Sequence, residues 1–273
     1  MFDHILITLI AFAAGLMDAI IGGGGMILLP ALLDRFPRAP LADLLALNKA
    51  ALLAGTILAA WRYTRHTRLA PVHRKRLPLG LPWAAALAMA ASLAGALAIS
   101  HLSTHTTADL RLLLPLPLLA LPLYMLLKKD LGKTHAAHIA KDSPRSALIL
   151  LALGGSIGFY DGFFGPGTGS IFIFAIVRFL GYDFLHASAW ARVLCVATGV
   201  AALVYFGWRG HIDWPLAWLL GGANLAGAWL GTHLALRRGT GFVRVFFIVG
   251  VSLLVAKMLY EQWGVDIPIL TLI

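Results

Sequence analysis

The chain has 273 residues, 60% of them hydrophobic and 12% charged, with a formal net charge of +10 at pH 7 and a mean hydropathy of +0.84. Soluble domains carry about 25% charged residues, so this composition excludes a soluble globular protein and points to an integral membrane protein. The basic residues fall mostly between apolar runs, where cytoplasmic loops collect Lys and Arg, so no nucleic-acid partner is called for, and the single Cys195 leaves no intramolecular disulfide to form and reads as a small packing residue.

Apolar runs long enough to span a bilayer, about 17 to 25 residues, lie at 5–33, 42–60, 78–100, 110–127, 147–180, 187–206, 214–235 and 242–260. The first follows Met1 to His4, which lacks Lys and Arg. It contains Asp18 and a glycine run where a secretory leader would have a small-residue cleavage site, which predicts a retained segment. The second carries Lys49 near its middle. Between the fourth and fifth, the polar stretch Lys128 to Arg145 reads as a cytoplasmic linker, 128–145, joining a first transmembrane repeat, 1–127, to a second, 146–273. The fifth run is broken around Gly165 and the sixth carries Arg192. Trp61, Tyr63, Trp208, Trp214 and Trp263 fall near run ends, where aromatic residues form interfacial belts.

The two halves repeat. One constant displacement superposes Gly15 on Gly158, Asp18 on Asp161, Gly22 on Gly165, Gly24 on Gly167 and Lys49 on Arg192. Slightly shorter displacements bring Leu93-Ala94-Gly95-Ala96 onto Leu225-Ala226-Gly227-Ala228 and Arg111 onto Arg244. If the first run of each half turns back within the membrane, three crossings per half remain and the halves become inverted. Arg237, Arg238 and Arg244 then join Arg62, Arg65, Arg68, Arg74, Lys75 and Arg76 on the cytoplasmic side, which improves the fit to the positive-inside rule. The expected fold is an all-α polytopic membrane protein of two inverted repeats. Each would be a Gly-rich broken or re-entrant helix hairpin plus three transmembrane helices, with both termini outside.

Gly22-Gly23-Gly24-Gly25 cannot continue a helix stably, and unpaired backbone in lipid costs several kcal/mol per group. Such a break belongs in the protein interior or at a cavity. Its counterpart, Gly165-Pro166-Gly167-Thr168-Gly169, adds a proline and a hydroxyl. After each break a half-helix should begin with its N–H groups and positive dipole end facing the gap, an arrangement that favours an anion. Paired broken helices in two repeats point to a transporter site at mid-membrane. Lys49 and Arg192 each follow the aspartate of their own half, Asp18 and Asp161, at the same spacing. They read either as structural ion-pair partners or as cations offsetting a permeating anion, with Arg able to fork two oxygens of a sulfonate or carboxylate. The aspartates are equally candidates for proton coupling.

Gly15-Leu16-Met17-Asp18 with Gly22 to Gly25 and Pro30, Leu47-Asn48-Lys49, and Gly158-Phe159-Tyr160-Asp161-Gly162-Phe163-Phe164-Gly165-Pro166-Gly167-Thr168-Gly169 resemble the TauE/SafE sulfite-exporter family, through nearly the whole chain. The resemblance implies a bacterial multi-pass inner-membrane transporter for sulfite, organosulfonates or related sulfur-containing anions. It carries over the glycine clusters with Asp18 and Asp161, and Asn48-Lys49, as motif positions; Asn48 is matched by Ala191 in the second half.

The expectation is therefore a secondary transporter rather than an enzyme, exporting a small anionic substrate by alternating access, with the lipid bilayer as its other partner and room for a homo-oligomer. The alternative is a membrane-embedded sensor or assembly subunit whose intramembrane ion pairs are structural. No cofactor is indicated: the glycine runs lack the Gly-Lys-Ser/Thr of a P-loop, and no strand precedes Gly165 as a dinucleotide site would need. His101, His105 and Asp109 share helical spacing but lie in a polar loop, as His135 and His138 do in the linker, so no metal is expected.

Overall fold

A computed structural model of the chain describes residues 2–69, 80–103 and 143–263. The predicted fourth run, most of the linker, His105, Asp109, His135, His138 and the loop from Ala70 to Leu79 lie outside the described residues. Among those described, every regular element is a helix: α1 (Phe2–Ile21), α2 (Gly24–Arg35), α3 (Leu41–Leu69), α4 (Leu81–Ser103), α5 (Pro144–Phe163), α6 (Thr168–Leu180), α7 (Phe184–Trp208) and α8 (Trp214–Trp263), the last interrupted at Gly239 by non-helical backbone. The segments Leu41–His66, Leu81–Leu102, Pro144–Phe163 and Phe184–Trp208 are long and apolar enough to cross a membrane. The chain is a multi-pass membrane protein.

Capping separates two kinds of helix start. Ser143 caps α5, accepting from the Ser146 N–H at 3.2 Å with Pro144 in the first turn, and Asp183 caps α7, accepting from the His186 N–H at 2.9 Å. These are the side-chain caps that polar chain ends use. By contrast α2 and α6 are preceded by Gly23 and Gly167 and have no side-chain cap. Other groups meet these starts: the Gly24 N–H faces the Asp18 carboxylate at 3.3 Å, and the Thr168 and Ser170 N–H groups donate to the Gly165 and Gly22 carbonyls, each at 3.2 Å.

The first glycine-broken run turns back on itself. A continued helix would place Gly24 about 15 Å beyond Ala14, yet a Cβ built on Gly24 would lie 2.5 Å from the Ala14 carbonyl oxygen. The arms are unequal: α1 and α5 have 20 residues each, α2 and α6 only 12 and 13. At 1.5 Å per residue the long arms match a hydrocarbon core of about 30 Å and the short ones reach about two thirds of it.

Docking between the halves is reciprocal. The α4 helix packs on α5 and α8 packs on α1, while α3 packs on α8 and α7 on α4. The repeated Leu-Ala-Gly-Ala motifs explain the closest crossings. A side chain at Gly95 would overlap the Phe159 carbonyl of α5, and one at Gly227 would overlap the Phe12 carbonyl of α1, so each half presents a small residue to the first helix of the other.

One end of this bundle is basic. Leu216 of α8 and Leu44 of α3 line a common pocket, and farther along both helices the Arg62 guanidinium donates to the Thr232 hydroxyl and the Trp229 carbonyl, each at 2.6 Å. The two helices therefore run side by side in the same direction, which brings Arg65 and Arg62 to the same end as Arg237 and Arg238. One expectation is corrected here. Tyr63 is not an interfacial belt residue: it is fully buried and its hydroxyl donates to the Ala19 carbonyl at 2.9 Å. Trp61, Trp208 and Trp214 are exposed near helix ends, as the belt requires.

Candidate functional site

The two glycine breaks meet. The Ser170 N–H donates to the Gly22 carbonyl at 3.2 Å and the Ser170 hydroxyl to the Ile21 carbonyl at 2.7 Å. Ending α1 inside the membrane leaves its last carbonyls in need of partners: the Ser170 hydroxyl donates to Ile21 and the Tyr63 hydroxyl to Ala19, while the Asp18 carbonyl accepts from both the Gly22 N–H, at 2.8 Å, and the Arg192 guanidinium. The second break is braced by the Tyr160 hydroxyl, which donates to the Pro166 carbonyl at 2.8 Å, and by the Thr168 hydroxyl, which donates to the Gly165 carbonyl at 2.6 Å.

Four buried charges surround the breaks, and they pair across the halves. Lys49 Nζ lies 2.9 Å from Asp161 Oδ2, and Arg192 Nη1 lies 2.9 Å from Asp18 Oδ2. Their equal spacing in the sequence suggested pairing within each half; the structure instead sets the third helix of each half over the broken helix of the other. The pairs are not equivalent. Asp18 also has the Thr56 hydroxyl at 3.2 Å and the Gly24 N–H at 3.3 Å, whereas no further partner of the Asp161 carboxylate is seen among the described residues.

A cavity of about 60 Å³ lies between the breaks. A buried water needs roughly 10–15 Å³ by this measure, so the space suits a few waters or one small anion. From the breaks it is lined by Gly22, Gly25, Gly165, Gly167, Thr168 and Gly169, with Asp18 and Asp161; from α3 by Asn48, Lys49, Leu52, Leu53 and Thr56; and from α7 by Cys195 and Gly199. Of the residues expected at a binding site, Gly23, Gly24 and Arg192 are not in this lining. Gly24 faces Asp18, and Arg192 is 1% exposed and spent on Asp18 and its carbonyl. Thr56, Leu52 and Leu53 were missed although they follow Lys49 at helical spacing and share its face. Cys195, read as a packing residue, lines the cavity, and no sequence signal distinguished it. Among the described residues no group of His, Cys, Asp and Glu could hold a metal ion.

The sequence model of the family described as Sulfite exporter TauE/SafE matches residues 7–258. The chain is 30% identical over 258 residues to "Probable membrane transporter protein YfcA" of Escherichia coli (strain K12), covering 94% of this chain and 90% of that one. It is 31% identical over 253 residues to "Probable membrane transporter protein" of Haemophilus influenzae, covering 93% of each. With "Probable membrane transporter protein ORF9" of Sinorhizobium sp it shares 33% over 254 residues, covering 92% and 90%. No solved structure matches the chain significantly.

Proposed function

The chain belongs to the TauE/SafE sulfite-exporter family, and from that premise we propose that it is a secondary transporter exporting small sulfur-containing oxyanions, such as sulfite or short organosulfonates, across a bacterial inner membrane. The observation that carries this reading is the cavity of about 60 Å³ between two glycine breaks, with the starts of α2 and α6 beside it and Lys49 in its wall. Helix N–H groups and a dipole's positive end favour an anion, and the volume favours a small one. Lys49 would exchange its partner Asp161 for the anion. Asp161, with fewer partners than Asp18, is then the carboxylate free to rotate away or take a proton.

Two inverted repeats are part of the proposal. The chain reversal at the first break, the reciprocal docking of α4 on α5 and α8 on α1, and the gathering of Arg62, Arg65, Arg237 and Arg238 at one end support it. With that basic end cytoplasmic, rocking of one half against the other would expose the cavity to alternate sides. An inside-negative potential favours exit of a lone anion by about 2.3 kcal/mol per charge per 100 mV.

Flux through the purified chain in liposomes tests this. Sulfite and methanesulfonate are expected to pass, a bulky aromatic sulfonate to be excluded, and Lys49→Ala to lower flux at least about tenfold, the loss of one charge-assisted contact. Native flux in a folded Lys49→Ala protein would remove Lys49 from the site. Folded protein that passes none of these anions would favour the sensor reading.

A further inference from the structure

A second, larger cavity lies against the start of α3. It measures about 350 Å³ and is bounded by Leu44, Leu47 and Asp43 of α3, Phe36 after α2, and His211 and Asp213 of the α7–α8 loop. Leu47 lines this cavity and the next residue, Asn48, lines the central one, so consecutive residues of α3 face the two. The halves touch across it: His211 Nδ1 lies 2.6 Å from Asp43 Oδ1. It sits at the end of α3 and α8 opposite the one that carries Arg62, Arg65, Arg237 and Arg238.

The two ends differ in electrostatic sign where an anion would pass. At the basic end the arginines raise the local concentration of anions. In the larger cavity the charged lining, among the described residues, is Asp43, Asp213 and His211, which is net negative whether or not the imidazole carries a proton. Arg35, Arg38 and Arg209 are on neighbouring segments but outside that lining. We infer that this cavity is the outer, release-side vestibule of the permeation path, and that Asp43 and Asp213 disfavour re-entry of the exported oxyanion from that side. The inference rests on the transport reading above. Carboxylates in a vestibule leave the equilibrium across the membrane unchanged; they lower the rate of anion capture from one face, so the transporter is half-saturated at a higher concentration there.

The test compares the two faces in oriented vesicles with methanesulfonate as the probe anion. Half-saturation is expected at a higher concentration from the outer face than from the cytoplasmic face. Asp43→Asn with Asp213→Asn keeps the hydrogen bond to His211 and the α8 cap, since Asn caps helices as Asp does. It should lower the outer-face value by about threefold to tenfold, with the cytoplasmic-face value unchanged. Added salt should shrink the difference between faces. Equal values on the two faces in the native chain, or equal effects of the variant on both, would overturn the inference. Leu44→Cys supplies a readout that needs no transport: reaction with a membrane-impermeant thiol reagent from outside, beyond that of the native chain, is expected, and reaction only from the cytoplasmic face would overturn it. Outside labelling without any anion flux would instead sink the transport reading and this inference with it, while leaving the cavity's sidedness established.

Discussion

Replacing Arg192 by Met lowers the stability of the detergent-solubilised protein by about 3–5 kcal/mol, the cost of breaking one partner out of a buried ion pair. Arg192 is 1% exposed, donates to Asp18 Oδ2 at 2.9 Å, and also holds the Asp18 main-chain carbonyl at the end of α1. Its removal leaves a buried carboxylate with only Thr56 and the long Gly24 contact, and it leaves the Asp18 carbonyl to the Gly22 N–H alone. A cation at that helix end also suits the dipole. Combining Arg192→Met with Asp18→Asn should recover much of the loss, because the stranded charge is gone. Lys49→Met should cost less, since Lys49 itself lines the cavity, where water can take its place beside Asp161, whereas Arg192 lies outside that lining. Thermal unfolding of the purified variants checks the order; an Arg192→Met protein as stable as the native chain would show that the cross-half pair does not hold α1 to α7.

The inequivalence of the two cations was the least legible feature of the sequence. Lys49 and Arg192 coincide under the repeat, and nothing in their neighbours says that one lines a cavity and the other anchors a helix end. The difference arises from three-dimensional docking: Tyr63, Ser170 and Arg192 converge on the last turn of α1 from three helices, at separations no periodicity reports. What the sequence did disclose was local. Four consecutive glycines and a Gly-Pro-Gly turn announce broken helices because backbone propensity and lipid forbid anything else there. The Leu-Ala-Gly-Ala repeats marked close crossings because only a small residue permits them. Lys49 stood out as a cation within an apolar run and Asn48 entered through family resemblance, and both lie in the cavity wall, while Thr56 was readable from helical spacing alone. The Asp43–His211 contact, which joins the first turn of α3 to the loop before α8, had no sequence signal at all.

Gly22→Val is expected to abolish transport and to leave little folded protein, and Gly22→Ala to do so in milder form. Gly22 has φ 83, where a side chain costs roughly 1–2 kcal/mol and a β-branched one more. Space is the larger obstacle: a Cβ on Gly22 would sit 2.7 Å from the Gly169 Cα and overlap that residue's carbonyl carbon. Both are backbone, so no rotamer change relieves the clash, and the breaks must separate. Separation pulls Ser170 from the Ile21 and Gly22 carbonyls and enlarges the cavity between the breaks. Gly222→Ala is the matched control. It lies in α8 with nothing within 4 Å of a built Cβ, and replacing a helical glycine by alanine favours the helix by up to about 1 kcal/mol. Size-exclusion profiles in detergent together with anion flux in liposomes measure both consequences. Transport at the native rate in Gly22→Ala would mean that the two breaks are not in backbone contact during the cycle, and the site would then have to be built on Lys49 and the helix starts without the seam between Gly22 and Gly169.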